Sequence, residues 1–488
     1  LATSSSGLTL TVNGDAGSPG SSVFDLPTQS AGAPTDRPSQ VHPSLKHPTV
    51  APLDESNTSY VVISGGTGGN AICSAFGADA CYVLPVSDDG GSSSEIIRVL
   101  GGPSIGDIRS RLVRLIPPAP PASPLDAIRN FLAYRFPTHY TERAARDEWR
   151  DIIEGRSALW AGIPSDRKET LRGFLVHFES ELLKRAHKNF TFVNGSIGNY
   201  FLAAAQDFFR SLPASIFLFS SITNSQARRA NILPVIVTNH TVTIAAELEN
   251  GERLVGQCEI SHPVPATDPA ADIDGVNINV SPVEDGMAVR AGQRRNVLFE
   301  PSAKDEDAYQ ALPARISRLF YMNAYGFEIH PSPNAEYLVA LGERDVLVYS
   351  CGSLWTSIIP CLALRGVAAA IARSRTLHAK VLLLNSKNDR ETDGYTAVDY
   401  LNAIVGTLNA SYGTPSYGLA YGGGGETRFP VSAFVTDLVY LRGTQLEVDS
   451  RVITAMGVRC TEVEGARGLF DVAGVKAALD GIVRLEQA

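Results

Sequence analysis

The stretch that most constrains this chain is an apolar run that stops abruptly in glycine. Tyr60-Val-Val-Ile63 is followed by Ser64-Gly65-Gly66-Thr67-Gly68-Gly69. Four consecutive aliphatic or aromatic residues ending in glycines read as a buried parallel strand entering a tight turn. Asn70 to Phe76 then read as the first turns of a helix. A glycine turn at a helix N-terminus leaves backbone N–H groups pointing outward, which suits a phosphate or another anion. A second apolar run, Cys81 to Val86, ends in Ser87-Asp88-Asp89. Both loops are expected at the carboxyl ends of neighbouring strands, where open α/β sheets bind ligands. An anion cradle facing a carboxylate pair suits a phosphorylated ligand with a divalent cation between the charges.

Three short motifs compete for this stretch. Gly66, Gly68 and Ala71 occupy the small-residue positions of a dinucleotide fingerprint, with Asp88 near the place of its ribose-binding acid. No Gly-Lys-Ser/Thr follows the glycines, so a Walker loop does not fit. Gly102-Pro-Ser104-Ile-Gly106 matches Gly-x-Ser-x-Gly but lacks the preceding strand that a nucleophile elbow needs.

Further along, two more units point toward a ligand. Gly195-Ser-Ile-Gly-Asn199 precedes an apolar helix, and Asn199 reads as a plain helix cap or a ligand donor. Val346 to Tyr349 reads as a buried strand that breaks at Ser350-Cys351-Gly352-Ser353. Trp355-Thr356-Ser-Ile-Ile starts a helix that Pro360 limits or kinks. Ser353 and Thr356 are placed to offer hydroxyls and N–H groups to an anion. Val381 to Leu384 forms another strand, ending at Asn385. The two strand–turn–helix units are expected to face one cleft.

Around these lie segments of plainer character. Residues 1–58 are rich in Ser, Thr, Gly and Pro and read as a disordered tail, leaving 59–488 as one α/β domain. Residues 117–190 carry helical spacing, for example Ile128, Phe131 and Leu132, and are expected to form a helical insertion, lid or oligomer surface. Val242 to Ile260, with Asn250-Gly251 at its turn, reads as a small β-hairpin element. The glycine-rich stretch 412–429 reads as a mobile loop. Net charge is −9 with no long basic run, which argues against nucleic acid or an anionic membrane as partner. No apolar stretch reaches transmembrane length. Six scattered cysteines without a Cys-x-x-Cys pair read as buried thiols of a reducing compartment, so the expected location is cytoplasmic.

Taken in order, Ser64-Gly-Gly-Thr-Gly, Ser87-Asp-Asp-Gly-Gly-Ser-Ser, Gly106-Asp-Ile-Arg109, Gly195-Ser-Ile-Gly-Asn199, Ser350-Cys-Gly-Ser-Leu-Trp-Thr-Ser-Ile-Ile-Pro and Glu391-Thr-Asp-Gly-Tyr-Thr-Ala resemble the CofD/YvcK family. That family includes the 2-phospho-L-lactate transferases of deazaflavin cofactor synthesis and gluconeogenesis-factor-like proteins that bind UDP-sugars. Tyr134-Arg-Phe-Pro and Leu159-Trp160 resemble its eukaryotic branch. Ser350 and Cys351 stand where the family has glycine and proline.

The resemblance implies a Rossmann-like, mostly parallel sheet with helices on both faces. It implies that Gly65, Gly66, Thr67 and Gly68 cradle phosphate or nucleotide. Asp88, Asp89 and Asp107 would supply carboxylates, with Asp88 and Asp107 the catalytic and Mg²⁺-holding pair. Asn199, Gly352, Ser353, Thr356 and Asn385 would complete the wall. The alternative for the aspartates is that they merely cap helices. The implied activity is Mg²⁺-dependent transfer of a phosphorus-containing group. The alternatives are a non-catalytic UDP-sugar-binding regulator and, from glycine spacing and Asp88 alone, an NAD-dependent oxidoreductase. The expected partner is a nucleotide, a nucleotide sugar or another diphosphate, with a homodimer as the expected assembly.

Overall fold

Tyr60, Val61, Val62 and Ile63 are all buried, as a strand must be when helices cover both faces of its sheet. Burying each such aliphatic side chain contributes roughly 1.5–3 kcal/mol. This strand, β1 (Tyr60–Ile63), sits inside a parallel sheet. Its other strands are β2 (Cys81–Leu84), β3 (Asn231–Pro234), β8 (Val346–Tyr349), β9 (Ala379–Leu383), β10 (Asp437–Leu441) and β11 (Arg459–Val463). Between β3 and β8 in the chain come β4 (Thr243–Leu248), β5 (Arg253–Val255), β6 (Ile316–Met322) and β7 (Glu328–Ile329). The computed structural model describes residues 58–65, 68–224, 231–262, 310–323, 325–412 and 428–487. Gly66, Thr67, nearly all of the 1–58 tail and the 413–427 part of the glycine-rich stretch lie outside the described residues. Ser56–Ala488 forms one unit.

Among the described residues the large sheet has seven strands in the order β11-β10-β9-β8-β1-β2-β3, all parallel. The chain runs outward from β1 through β2 to β3. It then returns to β8 on the other side of β1 and runs outward again. The order therefore reverses between β1 and β8, and a crevice opens at their carboxyl ends.

The hairpin expected from Asn250-Gly251 is present as β4 and β5, but it belongs to a four-stranded antiparallel sheet, β5-β4-β6-β7. Residues 257–261 form a short helix instead of continuing the strand. Leu233-Pro234 lies in β3 at the edge of the parallel sheet. Pro234 has no N–H to give a ladder and is tolerated at an edge.

Helices α1 (Gly91–Leu100) and α2 (Gly106–Leu115) follow β2. Three more, α3 (Pro124–Ala133), α4 (Glu142–Ile153) and α5 (Ser165–Lys184), precede α6 (Ile197–Phe209) and α7 (Leu212–Ile222). The aromatic residues of this region are core. Tyr200 on α6 stacks on Phe178 of α5 at 4.7 Å, and Trp149 of α4 stacks on Phe192 at 4.9 Å. Among the described residues no single helix is long and apolar enough to cross a membrane.

Candidate functional site

The crevice is built where backbones come too close for side chains. A Cβ on Gly65 would meet Ser357 Cβ at 2.7 Å and lie 3.2 Å from Asp107 Oδ2. One on Gly69 would lie 2.5 Å from Ser64 Oγ. Gly352 has φ +147°, and a Cβ there would press on the Gly65 carbonyl at 3.4 Å. The turns after β1 and β8 and the start of α2 thus converge. Of the residues expected in the cradle, Gly65 and Gly68 stand at this junction. A Cβ on Gly68 would touch the Cys351 and Gly352 backbone at 3.5 Å.

The helix expected over 70–76 is not an α-helix. Gly68–Asn70 and Cys73–Phe76 are separate 3₁₀ turns, because Gly69 packs under Ser64 and the chain turns again at Ala71-Ile72. The helix N-terminus of the site belongs instead to α1, which starts at Gly91. Its N-cap is Gly90, and no side chain caps it. Its first N–H groups are the kind that hold a phosphate. Asp-Asp-Gly-Gly-Ser-Ser-Ser carried that signal as a glycine N-cap followed by small residues, and Ser92 and Ser93 are buried there.

Asp88 and Asp107 lie close enough at this helix start for their charges to interact. Asp88 Oδ1 accepts the Gly90 N–H at 2.9 Å. A Cβ on Gly106 would fall 2.6 Å from Asp88 Oδ2 and 2.7 Å from Ser93 Oγ. Burial raises the Asp88 carboxyl to about 7. The negative charges of Asp107 and Asp89 add to the shift, and the Gly90 N–H opposes it. Two hard oxygen donors that repel each other fit a Mg²⁺ held by one or two carboxylates with ligand phosphates completing its shell.

Asp89 is turned away from this pair. Its Oδ1 accepts the Cys258 N–H at 2.8 Å, pinning the Gln257–Ser261 helix beside the crevice. Asn199 sits in the first turn of α6, buried, and its Nδ2 donates to Ser92 Oγ at 2.7 Å. Its Oδ1 has no partner, nor do the buried hydroxyls of Ser87 and Ser350. Buried polar atoms left this way at one crevice point to an outside partner.

The far wall differs more from expectation. Thr356 and the N–H groups of Trp355 and Thr356 are already taken by a carboxylate of the same chain, that of Glu391. Residues 354–358 form one wide π-turn, in which Ile358 N–H reaches Ser353 O at 3.3 Å. Pro360, which cannot give an N–H, follows it. Ser353 therefore heads the turn through its carbonyl, and Asn385 braces it by donating to the Gly352 carbonyl at 2.9 Å.

One cation under the glycine turn was not read as a site residue. Arg111 is 1% exposed. Its guanidinium donates to Ser64 Oγ at 2.6 Å and Gly69 O at 3.2 Å, touches Cys73 Sγ, and lies 4.7 Å from the Tyr82 ring centre. Its place one helical turn after Asp107 on the apolar side of α2 was the available signal. Elsewhere, His177, Glu181 and Asp207 bring ligand atoms within 4.8 Å of one another. Lys184 and Arg185 hold Glu181, and Arg210 holds Asp207.

The profile of the family described as 2-phospho-L-lactate transferase CofD matches residues 60–462. The chain belongs to the CofD family. Among its relatives, an uncharacterized protein of Saccharomyces cerevisiae is 35% identical over 432 residues, covering 83% of this chain and 94% of that protein. A gluconeogenesis factor of Halalkalibacterium halodurans is 23% identical over 349 residues, covering 71% of this chain and 72% of its own. A crystal structure of a UPF0052 family member from Bacillus halodurans superposes with a TM-score of 0.53 at 20% identity. It covers 87% of this chain and 99% of that chain. This likeness bears on the fold, and it agrees with the parallel sheet and its crevice.

Proposed function

We propose that this CofD family member binds a nucleotide diphosphate or nucleotide sugar in the crevice between β1 and β8 and transfers a phosphorus-containing group from it. The observation that supports this most directly is the mutually repelling pair of half-buried Asp88 and buried Asp107 beside the uncapped start of α1. Asp88 and Asp107 would hold Mg²⁺, which when bound would offset the charge that builds on the leaving nucleotide as the bond to the transferred phosphorus breaks. The α1 N-terminus and the turn at Gly65 orient the phosphates. Asn199, fixed through Ser92, lines the side where an acceptor hydroxyl enters. Whichever of the two aspartates is less engaged with the cation orients that hydroxyl.

A second reading is binding without turnover, as in a regulator that senses a UDP-sugar. It is favoured by similarity to the protein named gluconeogenesis factor. Thermal shift with nucleotides, UDP-sugars and deazaflavin precursors, with and without Mg²⁺, separates the two. Transfer requires a Mg²⁺-dependent shift, lost in Asp88→Asn, and consumption of the donor. A Mg²⁺-indifferent shift with the ligand recovered intact supports the sensor. No shift with any phosphorylated ligand would overturn both.

A further inference from the structure

The start of α6 gathers positive charge that the crevice chemistry does not use. We infer that Arg109 and Arg135, with Ser196, form a subsite for an oxyanion, phosphoryl or carboxylate, carried by the ligand of the crevice. The inference rests on the crevice reading only for the identity of the molecule that brings the group.

Arg109 packs against the first turn of α6 at Gly198. A Cβ on Gly198 would stand 3.0 Å from its Nε and 3.2 Å from its Cγ. Arg135 reaches the same turn from the other side. It pairs with Ser196 in an antiparallel bridge, so the two side chains leave the backbone on one face. Its Nη1 donates to the Asn194 carbonyl at 2.6 Å. Arg109 Nη2 donates to the carbonyls of Ala133 at 3.1 Å and Leu132 at 3.5 Å. Among the described residues, then, both guanidiniums bond to carbonyls rather than to carboxylates. Two cations and a helix N-terminus share one sign, and the guanidiniums donate to the last carbonyls of α3 and to Asn194.

The second observation is a hydroxyl with nothing to do. Ser196 is the N-cap residue of α6 and is fully buried, yet its side chain makes no cap bond. Its Oγ has no partner, and neither does Arg109 Nε, which lies against Gly198 two residues on. A buried N-cap serine ordinarily satisfies an N–H of its own helix. Here an unpartnered hydroxyl and an unpartnered Nε belong to residues at one turn, with Arg135 bridged to that serine. That donor set matches an oxyanion.

The subsite lies close to the carboxylate pair. Arg109 stands three residues along α2 from Gly106, against which Asp88 packs, which is about 4.5 Å of helix rise. A ligand with its diphosphate at α1 would present a second anionic group here. The position then selects substrates that are acidic at both ends.

The test uses the full chain and inorganic phosphate, titrated against sodium chloride at equal ionic strength, with thermal shift and calorimetry as readouts. Phosphate should stabilise the wild type beyond chloride. Ser196→Ala and Arg135→Gln should each weaken the response roughly tenfold, the scale of one lost hydrogen bond to a charged group. Ser196→Ala removes an unpartnered hydroxyl, so without phosphate it should leave the melting temperature unchanged or higher. Arg135→Lys serves as the check if Arg135→Gln fails to fold. Asp88→Asn should retain the phosphate response, which separates this subsite from the crevice. A response that survives in Ser196→Ala, Arg135→Gln and Arg135→Lys overturns the inference. A response lost in Ser196→Ala while no nucleotide binds anywhere upholds the subsite and overturns the crevice reading alone. If phosphate binds, replacing it with acetate or malonate distinguishes a phosphoryl from a carboxylate preference.

Discussion

Glu391 Oε1 accepts the hydroxyl of Thr356 at 2.6 Å, while Oε2 takes the N–H groups of Trp355 and Thr356 at 3.0 and 3.1 Å. Ser261 adds its hydroxyl to Oε1 at 2.8 Å. A turn that the sequence offers to a ligand anion is thus filled by an anion of the chain itself. The carboxylate ties the turn after β8 to the helix Gln257–Ser261, which Asp89 holds from the other side. The crevice wall is one hydrogen-bonded frame.

Removing Glu391 should therefore cost stability rather than ligand contacts. Glu391→Ala leaves two N–H groups and a hydroxyl buried without an acceptor, a loss of about 2–4 kcal/mol. Urea unfolding measures it. A change below about 0.5 kcal/mol would mean that water replaces the carboxylate without penalty.

Stability should fall as pH rises through the weakly acidic range. Burial raises both Asp88 and Glu391 to about 7, with neighbouring acids adding to each shift. The folded chain therefore holds more protons than the unfolded chain between about pH 4 and 7, and each group contributes a slope of at most about 1.4 kcal/mol per pH unit there. The stabilisation is present below the unfolded value and is lost as pH passes the folded one. Asp88→Asn and Glu391→Gln should each flatten the profile. A stability that rises from pH 5 to 8 and is insensitive to both substitutions would contradict the assignment.

Mg²⁺ should act on one of these groups and not the other. At pH 8, above the raised value of Asp88, millimolar Mg²⁺ should raise the melting temperature of the wild type and of Glu391→Gln, but not of Asp88→Asn. Calcium and sodium at matched ionic strength are the controls. An equal rise in all three proteins would place the ion elsewhere.

Gly106 should be intolerant of a methyl group. In Gly106→Ala the new Cβ would fall 2.6 Å from Asp88 Oδ2, so the carboxylate must move. The Mg²⁺ response should weaken by an order of magnitude or more, with unfolding still cooperative, since a misplaced ligand lowers affinity before it unfolds a helix. Unchanged Mg²⁺ affinity would show that Asp88 is not held in place by this contact.

Arg111 should not be replaceable by lysine. Its planar fork serves Ser64, Gly69 and Cys73 while its face covers Tyr82. An ammonium on a single stem cannot keep these together. Arg111→Lys should cost about 2–4 kcal/mol in chemical denaturation, and Arg111→Met about as much, because either leaves buried acceptors unmatched. Full stability in Arg111→Lys would reduce the guanidinium to a filler.

The local signals in the chain were strong where one residue type answers to one physical demand. Tyr60 to Ile63 had to be buried on both faces, and the glycines after it had to turn. The aspartates near Gly90 and Gly106 needed partners of opposite charge. The ordered motifs were specific enough to bring strands from distant parts of the chain to one family, whose parallel sheet the structure has. Weak signals misled where spacing was short. Asn70 to Phe76 has helical composition but packs as two 3₁₀ turns, because Gly69 lies under Ser64 and leaves no room for a regular helix. Strands β6 and β11 passed unread because partly exposed strands lack a clear apolar pattern.

The sequence by itself determined the parallel sheet, its glycine turns and the acidic loop, since these depend on local hydrophobicity and on glycine's permitted conformations. Only the tertiary structure decided what each polar residue does. Asp89, Thr356 and Asn385 look like ligand residues by motif, yet Cys258, Glu391 and Gly352 claim them through contacts spanning 169, 35 and 33 positions of chain. Hydrogen bonds are short-ranged and specific to geometry, so a polar side chain's partner is set by which strands the fold places side by side. In this chain that placement is the reversal of strand order between β1 and β8.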